Sequence, residues 1–445
     1  MKLAAPFLVA LLATACQTAL PVATVPSAAA DGGMVVRYLP GTPAAARDAI
    51  RLAHNVGATQ AIGLDAERWT LASAEAAGLA ISDLAHDQRV RFAQPNFHRS
   101  LNYDHSEAAP PFPTFSLQQA GLTNDPDIGL QWHLKRARFT DAWATTTGKG
   151  VIVAVIDSGC DPNHPDLKAN LLPLIDEVVA MNNHDLFSTS AGPENFDNRD
   201  GHGHGTHVCG IVGAVRGNGI GVSGAAPDVK ILPVKVTTSS GDADDATISK
   251  GILDAVDNGA QVINLSIGGP EPSPILLDAL NYAFNKNVVV VIASGNDSRE
   301  VNYPAAYNGV ISVGAITDKD KVASYSSHGQ NLVIVAPGGG APGHGEGEPI
   351  YSTTPTYQCY ISIAERKTTN YGKLAGTSMA APQVTAAAAL MLSVEPGLTP
   401  AQMRTRLAAG AQDLGDPGFD EYYGYGELDM AKAIAIGRDD GRASK

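Results

Sequence analysis

Cysteine is scarce in this chain: four residues in 445, at positions 16, 160, 209 and 359. If Cys16 is removed or modified, three remain and at most one intramolecular bridge can form, so this is not a disulfide-built scaffold. Stability has to come from a hydrophobic core, and an apolar share of 44% is enough to bury a large one. Basic charge is also short. Lys and Arg number 31 against 45 Asp and Glu, a formal net charge of -14, which argues against nucleic acid as a partner. The N-terminal apolar stretch over 3–15, interrupted at Pro6 and Thr14, is shorter than the roughly 20 residues needed to span a bilayer.

That stretch is instead a targeting segment. Lys2, the apolar run and Ala13-Thr14-Ala15 read as a secretory signal peptide over residues 1–15. Residues 11–16 also resemble a bacterial lipoprotein box, with Ala13 where leucine is preferred. A lipid anchor at Cys16 and ordinary cleavage at Ala15 or near 28–30 both stay open. Either route takes the chain out of the cytoplasm, to secretion or to the bacterial cell envelope.

Residues 16–33 are rich in Ala, Pro and Ser and read as a linker. A small α+β unit follows over 34–99. Its strands are expected at 34–39, 69–71 and 89–92. One helix is expected from Thr42 as cap, with Pro43 in its first turn, to about Val56. A second runs over 73–86 with Leu79, Leu84 and alanines on one face. Residues 100–123 carry Pro110, Pro111 and Pro113 without periodicity and read as an exposed linker and processing region.

The large unit, 124–445, is α/β. Residues 151–156 form a continuous β-branched run of the kind buried on both faces of a parallel sheet. Further strands are expected at 230–236, 261–266, 288–293 and 310–315, with helices at 247–258 and 274–285 between them. Thr399, Pro400 and Gln402 form a capping box for a late helix. This alternation predicts a doubly wound, mostly parallel sheet, whose ligands bind at the carboxyl ends of the strands.

The chemistry gathers around Gly376-Thr377-Ser378-Met379-Ala380-Ala381-Pro382, a small-residue turn that leads into an apolar helix. A serine at such an entrance sits among outward-facing backbone N–H groups, but it is a weak nucleophile without a base. Asp157 follows the 151–156 run. His202, His204 and His207 lie in Asp200-Gly201-His202-Gly203-His204-Gly205-Thr206-His207-Val208. The interleaved glycines make an extended turn rather than one helical face, so zinc is the weaker reading. Acid, histidine, serine is one of the known orders of a catalytic triad. His202 reads as a solvated neighbour and His207 as a packed structural histidine. Cys160 and Cys209 read as buried small hydrophobes.

Three stretches resemble the aspartate, histidine and serine motifs of the subtilisin-like serine endopeptidases, the subtilases: Val155–Gly159, His204–Gly210 (with Cys209 where alanine is usual) and Gly376–Pro382. The resemblance implies Ser378 as nucleophile, His204 as base and Asp157 as its orienting carboxylate. It implies Asn296, in Ala293-Ser294-Gly295-Asn296, as an oxyanion donor. Ser266, Ile267 and Gly268 would form one wall of the substrate cleft, Ala293, Ser294 and Gly295 the other, with Asn302 at the pocket base. Asp166 and Asn218 would be calcium ligands, calcium being structural and no cofactor being needed for the chemistry. The 34–99 unit resembles an inhibitor-type prodomain, so the partners implied for the chain are polypeptide substrates and its own prodomain as intramolecular inhibitor. The expected activity is peptide-bond hydrolysis by a self-processing zymogen. The alternatives are a protease dedicated to one partner or itself, and a catalytically silent binding or chaperone module. Residues 340–371 match the family poorly.

Overall fold

A computed structural model describes residues 32–101, 103, 123–181, 185–189, 192–341 and 345–440. The signal segment, Cys16 and most of the 100–123 linker lie outside them.

The centre of the molecule is a seven-stranded parallel sheet. Its spatial order is Ile334–Pro337, Ile311–Ile316, Val289–Ala293, Val262–Leu265, Ile152–Asp157, Lys230–Lys235 and Ile175–Asp176. The strands Val262–Leu265 and Val289–Ala293 are buried along their whole length, as their unbroken apolar sequences require. Helices His204–Gly213 and Thr377–Val394 pack on one another and on the sheet, and Asp245–Asp257 and Pro274–Asn285 form a second packed pair. The sheet is therefore sandwiched between helical layers, the doubly wound α/β architecture. Thr399 caps Pro400–Gly410 through the reciprocal bonds of a capping box.

The N-terminal unit is a four-stranded antiparallel sheet in the order Ala58–Gly63, Ala66–Thr70, Gly33–Tyr38 and Val90–Pro95. Helices Ala44–Ala53 and Ala74–Leu84 cover one face, Leu84 packing with Met34, Tyr38 and Trp69 of the sheet. On the other face Val35, Ile62 and Ala66 join Met181, Ala246 and Ile275 of the large unit in one apolar cluster. The two units thus share an apolar contact.

Several local expectations need correction. Pro43 is itself the N-cap of Ala44–Ala53, with no side-chain bond, and Thr42 Oγ1 instead donates to the Leu39 carbonyl at 2.8 Å. That helix stops at Ala53 rather than near Val56. Leu79 is 64% exposed, because the buried stripe of its helix runs through Ala77, Ala80 and Leu84. The strand Ala58–Gly63 was not foreseen. Ser100 and Leu101, assigned to an exposed linker, instead belong to a strand, His98–Leu101, and Leu101 is buried. The poorly matching region contributes a hairpin of Ile350–Thr353 with Tyr371–Leu374 and a short helix, Tyr360–Ala364.

Candidate active site

Asp157 closes its central strand with a fully buried carboxylate. Its Oδ1 accepts from the Ser158 amide at 2.7 Å and lies 2.8 Å from His204 Nδ1. His204 is the first residue of its helix and is equally buried. Glycine is required just after it: a Cβ on Gly205 would lie 2.2 Å from the Gly159 carbonyl oxygen. The backbone of the aspartate loop therefore packs directly on the helix that carries the histidine.

Asp200 holds this junction together, and sequence reasoning missed it. Its Oδ1 accepts from Ser158 Oγ at 2.8 Å and from the Gly203 amide at 2.7 Å, while Oδ2 accepts from the Thr206 amide at 2.8 Å and hydroxyl at 2.7 Å. One carboxylate thus satisfies donors at the start of the histidine helix and ties them to the aspartate loop. Burial pushes its pKa up, and the Thr206 and Gly203 bonds push it back down. The available signal was an aspartate six residues before a threonine that enters a buried helix.

Ser378 is the second residue of Thr377–Val394, and its hydroxyl donates to the Ser266 carbonyl at 3.2 Å rather than to a histidine. Asn296 is tied to the same turn: its Oδ1 accepts from the Thr377 amide at 3.0 Å and hydroxyl at 2.8 Å. Among the described residues, His204 Nε2 and Asn296 Nδ2 are buried and have no hydrogen-bond partner. Asp157 ends one strand, and Ser266 and Asn296 follow the carboxyl ends of the next two strands in the sheet, so the candidate residues share one rim.

The predicted cleft walls are placed beside this rim. Ile267–Gly268 forms a short strand, and Asn302 donates its backbone N–H to the Ser294 carbonyl at 2.8 Å. Gly295, at φ +118°, lies against the Asn302 side chain, whose Nδ2 a Cβ would meet at 2.6 Å. The groove between Asp242–Asp244 and Ile267–Gly268 is filled by the chain itself. His98–Leu101 runs antiparallel between Asp242–Asp244 and Ile267–Gly268, opposing Leu101 to Ile267 and Ser100 to both Gly268 and Asp242. Beyond it the Tyr103 ring sits 5.0 Å from the His204 ring, and its hydroxyl donates to Glu365 Oε1 at 2.5 Å.

His202 is not a solvated neighbour. It is buried, stacked on Tyr360 at 5.0 Å, with Nε2 3.1 Å from the Tyr103 hydroxyl. The 359–365 segment, remote in sequence, covers it. His207 is a packed histidine, its Nε2 3.2 Å from the Ile350 carbonyl and 3.3 Å from that of Gly372. Cys160, Cys209 and Cys359 are free thiols, all buried.

Asp166 and Asn218 are brought together, with Asn218 Nδ2 donating to Asp166 Oδ1 at 2.7 Å. Asp166 also accepts from the Val222 amide at 2.9 Å. Its carboxyl is raised to about 6, chiefly by burial; the bonds from Val222 and Asn218 oppose the rise and the negative charge of Asp125 adds to it. Among the described residues there is no group of three His, Cys, Asp or Glu side chains arranged to hold a metal.

The profile of the subtilase family matches residues 148–426. Subtilisin DY of Bacillus licheniformis is 38% identical over 291 residues, 64% of this chain and 91% of that protein. Thermitase of Thermoactinomyces vulgaris is 34% identical over 313 residues, 70% of this chain and 98% of its own. The crystal structure of fervidolysin from Fervidobacterium pennivorans, described as a keratinolytic enzyme related to subtilisin, superposes with a TM-score of 0.74 at 26% identity, covering 92% of this chain and 61% of that one. This last match extends beyond the subtilisin-length region. The chain belongs to the subtilase family and is a subtilisin-like serine endopeptidase acting on polypeptides.

Proposed function

We propose that Ser378, His204 and Asp157 hydrolyse peptide bonds through an acyl-enzyme, and that the chain is made as a zymogen that cuts itself. The observation that carries the first part is the 2.8 Å Asp157–His204 contact, which leaves His204 Nε2 as an unpartnered acceptor. A hydrogen bond from Nδ1–H to the carboxylate fixes the tautomer in which Nε2 takes a proton. For attack, the Ser378 hydroxyl turns from the Ser266 carbonyl toward Nε2. Its oxygen then bonds the scissile carbonyl carbon as its proton passes to the imidazole. The imidazolium, paired with Asp157, returns that proton to the leaving amine. Water then repeats the sequence on the acyl-serine and releases the new carboxyl terminus. Asn296 Nδ2 and the Ser378 amide donate to the oxyanion as it forms. Ser266–Gly268 and Ala293–Gly295 receive the substrate as an added strand, with Asn302 at the base of the side-chain pocket.

The zymogen reading rests on the strand in the cleft and on the way the N-terminal unit is fastened. Asn96 Oδ1 accepts from the Ala246 amide at 3.0 Å and Gln94 Oε1 from the Ile275 amide at 3.0 Å. The unit thereby satisfies unpaired donors in the first turns of two helices of the large unit. Arg37 adds an ion pair to Asp278. The 34–99 unit thus acts as an intramolecular inhibitor whose tail occupies the substrate's place. Calcium belongs to the same proposal: Asp166, with Asp125 close by, would offer carboxylate oxygens, and the Asn218 side chain, which here donates its N–H to Asp166, would have to turn its oxygen to the ion. The 1–15 segment directs the protein to export, with Cys16 as the candidate lipid site.

The test is Ser378→Ala. The expected outcome is a full-length, uncut precursor on denaturing gels and no hydrolysis of casein. Self-cleavage by that variant would remove the assignment.

A further inference from the structure

The strand that fills the cleft carries a buried charge. Along His98–Leu101 the side chains alternate, His98 and Ser100 outward, Arg99 and Leu101 inward. Arg99 and Asp245 are both 0% exposed at the side chain. Arg99 Nε donates to Asp245 Oδ1 at 2.7 Å and Nη2 to Oδ2 at 3.2 Å, a two-pronged pairing, and Nη2 also donates to the Glu271 carbonyl at 2.8 Å. The guanidinium lies over Gly269, where a Cβ would come within 2.9 Å of Nη1, and Glu271 Oε2 stands 3.8 Å from Nη1. The place is shaped for a flat, forked cation.

Only Arg99 belongs to the occluding tail; Asp245, Gly269 and Glu271 belong to the large unit and remain when the tail leaves. Main-chain pairing with Ala243 and Gly268 is indifferent to side chains, so any substrate strand enters in the same register. Its residue at the Arg99 place then meets Asp245. An apolar residue there leaves a desolvated carboxylate without a counter-charge, its remaining bond coming from Ser273, and an acidic one adds like charge. Lysine restores charge but not the fork.

Resting on the endopeptidase reading above, we infer that Asp245, with Gly269 and Glu271, forms a subsite that selects arginine on the N-terminal side of the cut bond, two residues before the residue facing Ile267. The class of preferred substrate is therefore an extended peptide with an arginine at that place.

The test uses enzyme purified from wild-type expression and a synthetic peptide copying residues 95–108, with the arginine kept or replaced by alanine, lysine, glutamate or citrulline. Products are identified by mass spectrometry and kcat/KM is compared at one cut bond. Arginine should exceed alanine and citrulline by roughly 30-fold or more, with lysine between and glutamate lowest. In Asp245→Asn the arginine advantage should shrink to a few-fold. Citrulline matches arginine in shape without its charge, so the preference can be judged on the wild-type enzyme even if that variant does not fold. Equal hydrolysis of the arginine, citrulline and alanine peptides overturns the subsite and leaves the endopeptidase reading intact. Failure to cleave any peptide, or casein, overturns both.

Discussion

His207 gives a pH dependence whose size can be worked from its surroundings. The ring is fully buried, and burial first, then the neighbouring His204, lowers its pKa from 6.5 to about 3. The unfolded chain therefore binds a proton that the folded chain refuses. The sign follows: the folded state keeps its full advantage from this group above pH 6.5 and loses it as pH falls from 6.5 toward 3. At pH 5, about 1.5 units below the unfolded value, the loss is about 2 kcal/mol, rising to about 4 kcal/mol at pH 3. Other groups pull the opposite way. Glu177, raised to about 8 chiefly by burial, and Asp166, raised to about 6, hold protons that the unfolded chain gives up. The pH profile of one protein therefore mixes signs, and a difference is needed. His207→Gln, made in Ser378→Ala to prevent autolysis, keeps a donor for the two carbonyls and does not titrate. Its packing defect is independent of pH and cancels between conditions. Urea unfolding followed by tryptophan fluorescence at pH 7 and pH 5 should show the stability gap between parent and variant narrowing by about 2 kcal/mol on acidification. A gap that does not move would mean that the ring is protonated, or hydrated, in the folded protein.

Asn296→Ala should lower kcat far more than it changes KM. The expected loss is about 3–4 kcal/mol of transition-state stabilisation, the magnitude known for the corresponding donor of subtilisin, a relative of this chain. Thr377→Val, which removes one contact to Asn296 Oδ1 and no oxyanion donor, should lose less than about tenfold; comparable losses in the two would make Asn296 a structural residue. Chelation of the Ser378→Ala precursor with EDTA should lower its melting temperature, and Asp166→Asn should remove that sensitivity. An unchanged melt dismisses calcium at this place.

What the sequence made legible was local. The 151–156 run and the strands near 262 and 289 are unbroken apolar stretches, and their burial on both faces follows from that composition. The motif loops carry glycines whose need is steric, as Gly205 shows against the Gly159 carbonyl. Where signals were weak, the reading slipped. Ala58–Gly63 has one large apolar side chain in six residues and sits at a sheet edge, so alternation says little. Leu79 looked like core because it is leucine, yet the spacing of Ala77, Ala80 and Leu84 already defined the inward stripe. His202 could not be placed, because Tyr103 and Tyr360, which enclose it, are supplied from far along the chain.

The strand in the cleft was hidden for a deeper reason. His-Arg-Ser-Leu is too short for a period of two to stand out, and both its neighbours come from more than 140 residues later. Nothing local separates such a segment from the linker that follows it. The distinguishing mark is energetic. An arginine is almost never fully buried without a charged partner, and Arg99 is buried only because Asp245 is. Asp245 in turn sits in the first turn of Asp245–Asp257, where a carboxylate already suits the helix dipole, so its sequence context suggests helix capping rather than recognition. The same carboxylate faces whatever strand lies between Asp242–Asp244 and Ile267–Gly268. An occluding tail and a substrate must therefore solve one electrostatic problem, and a tail that answers it with arginine reveals what the open cleft will ask of a substrate.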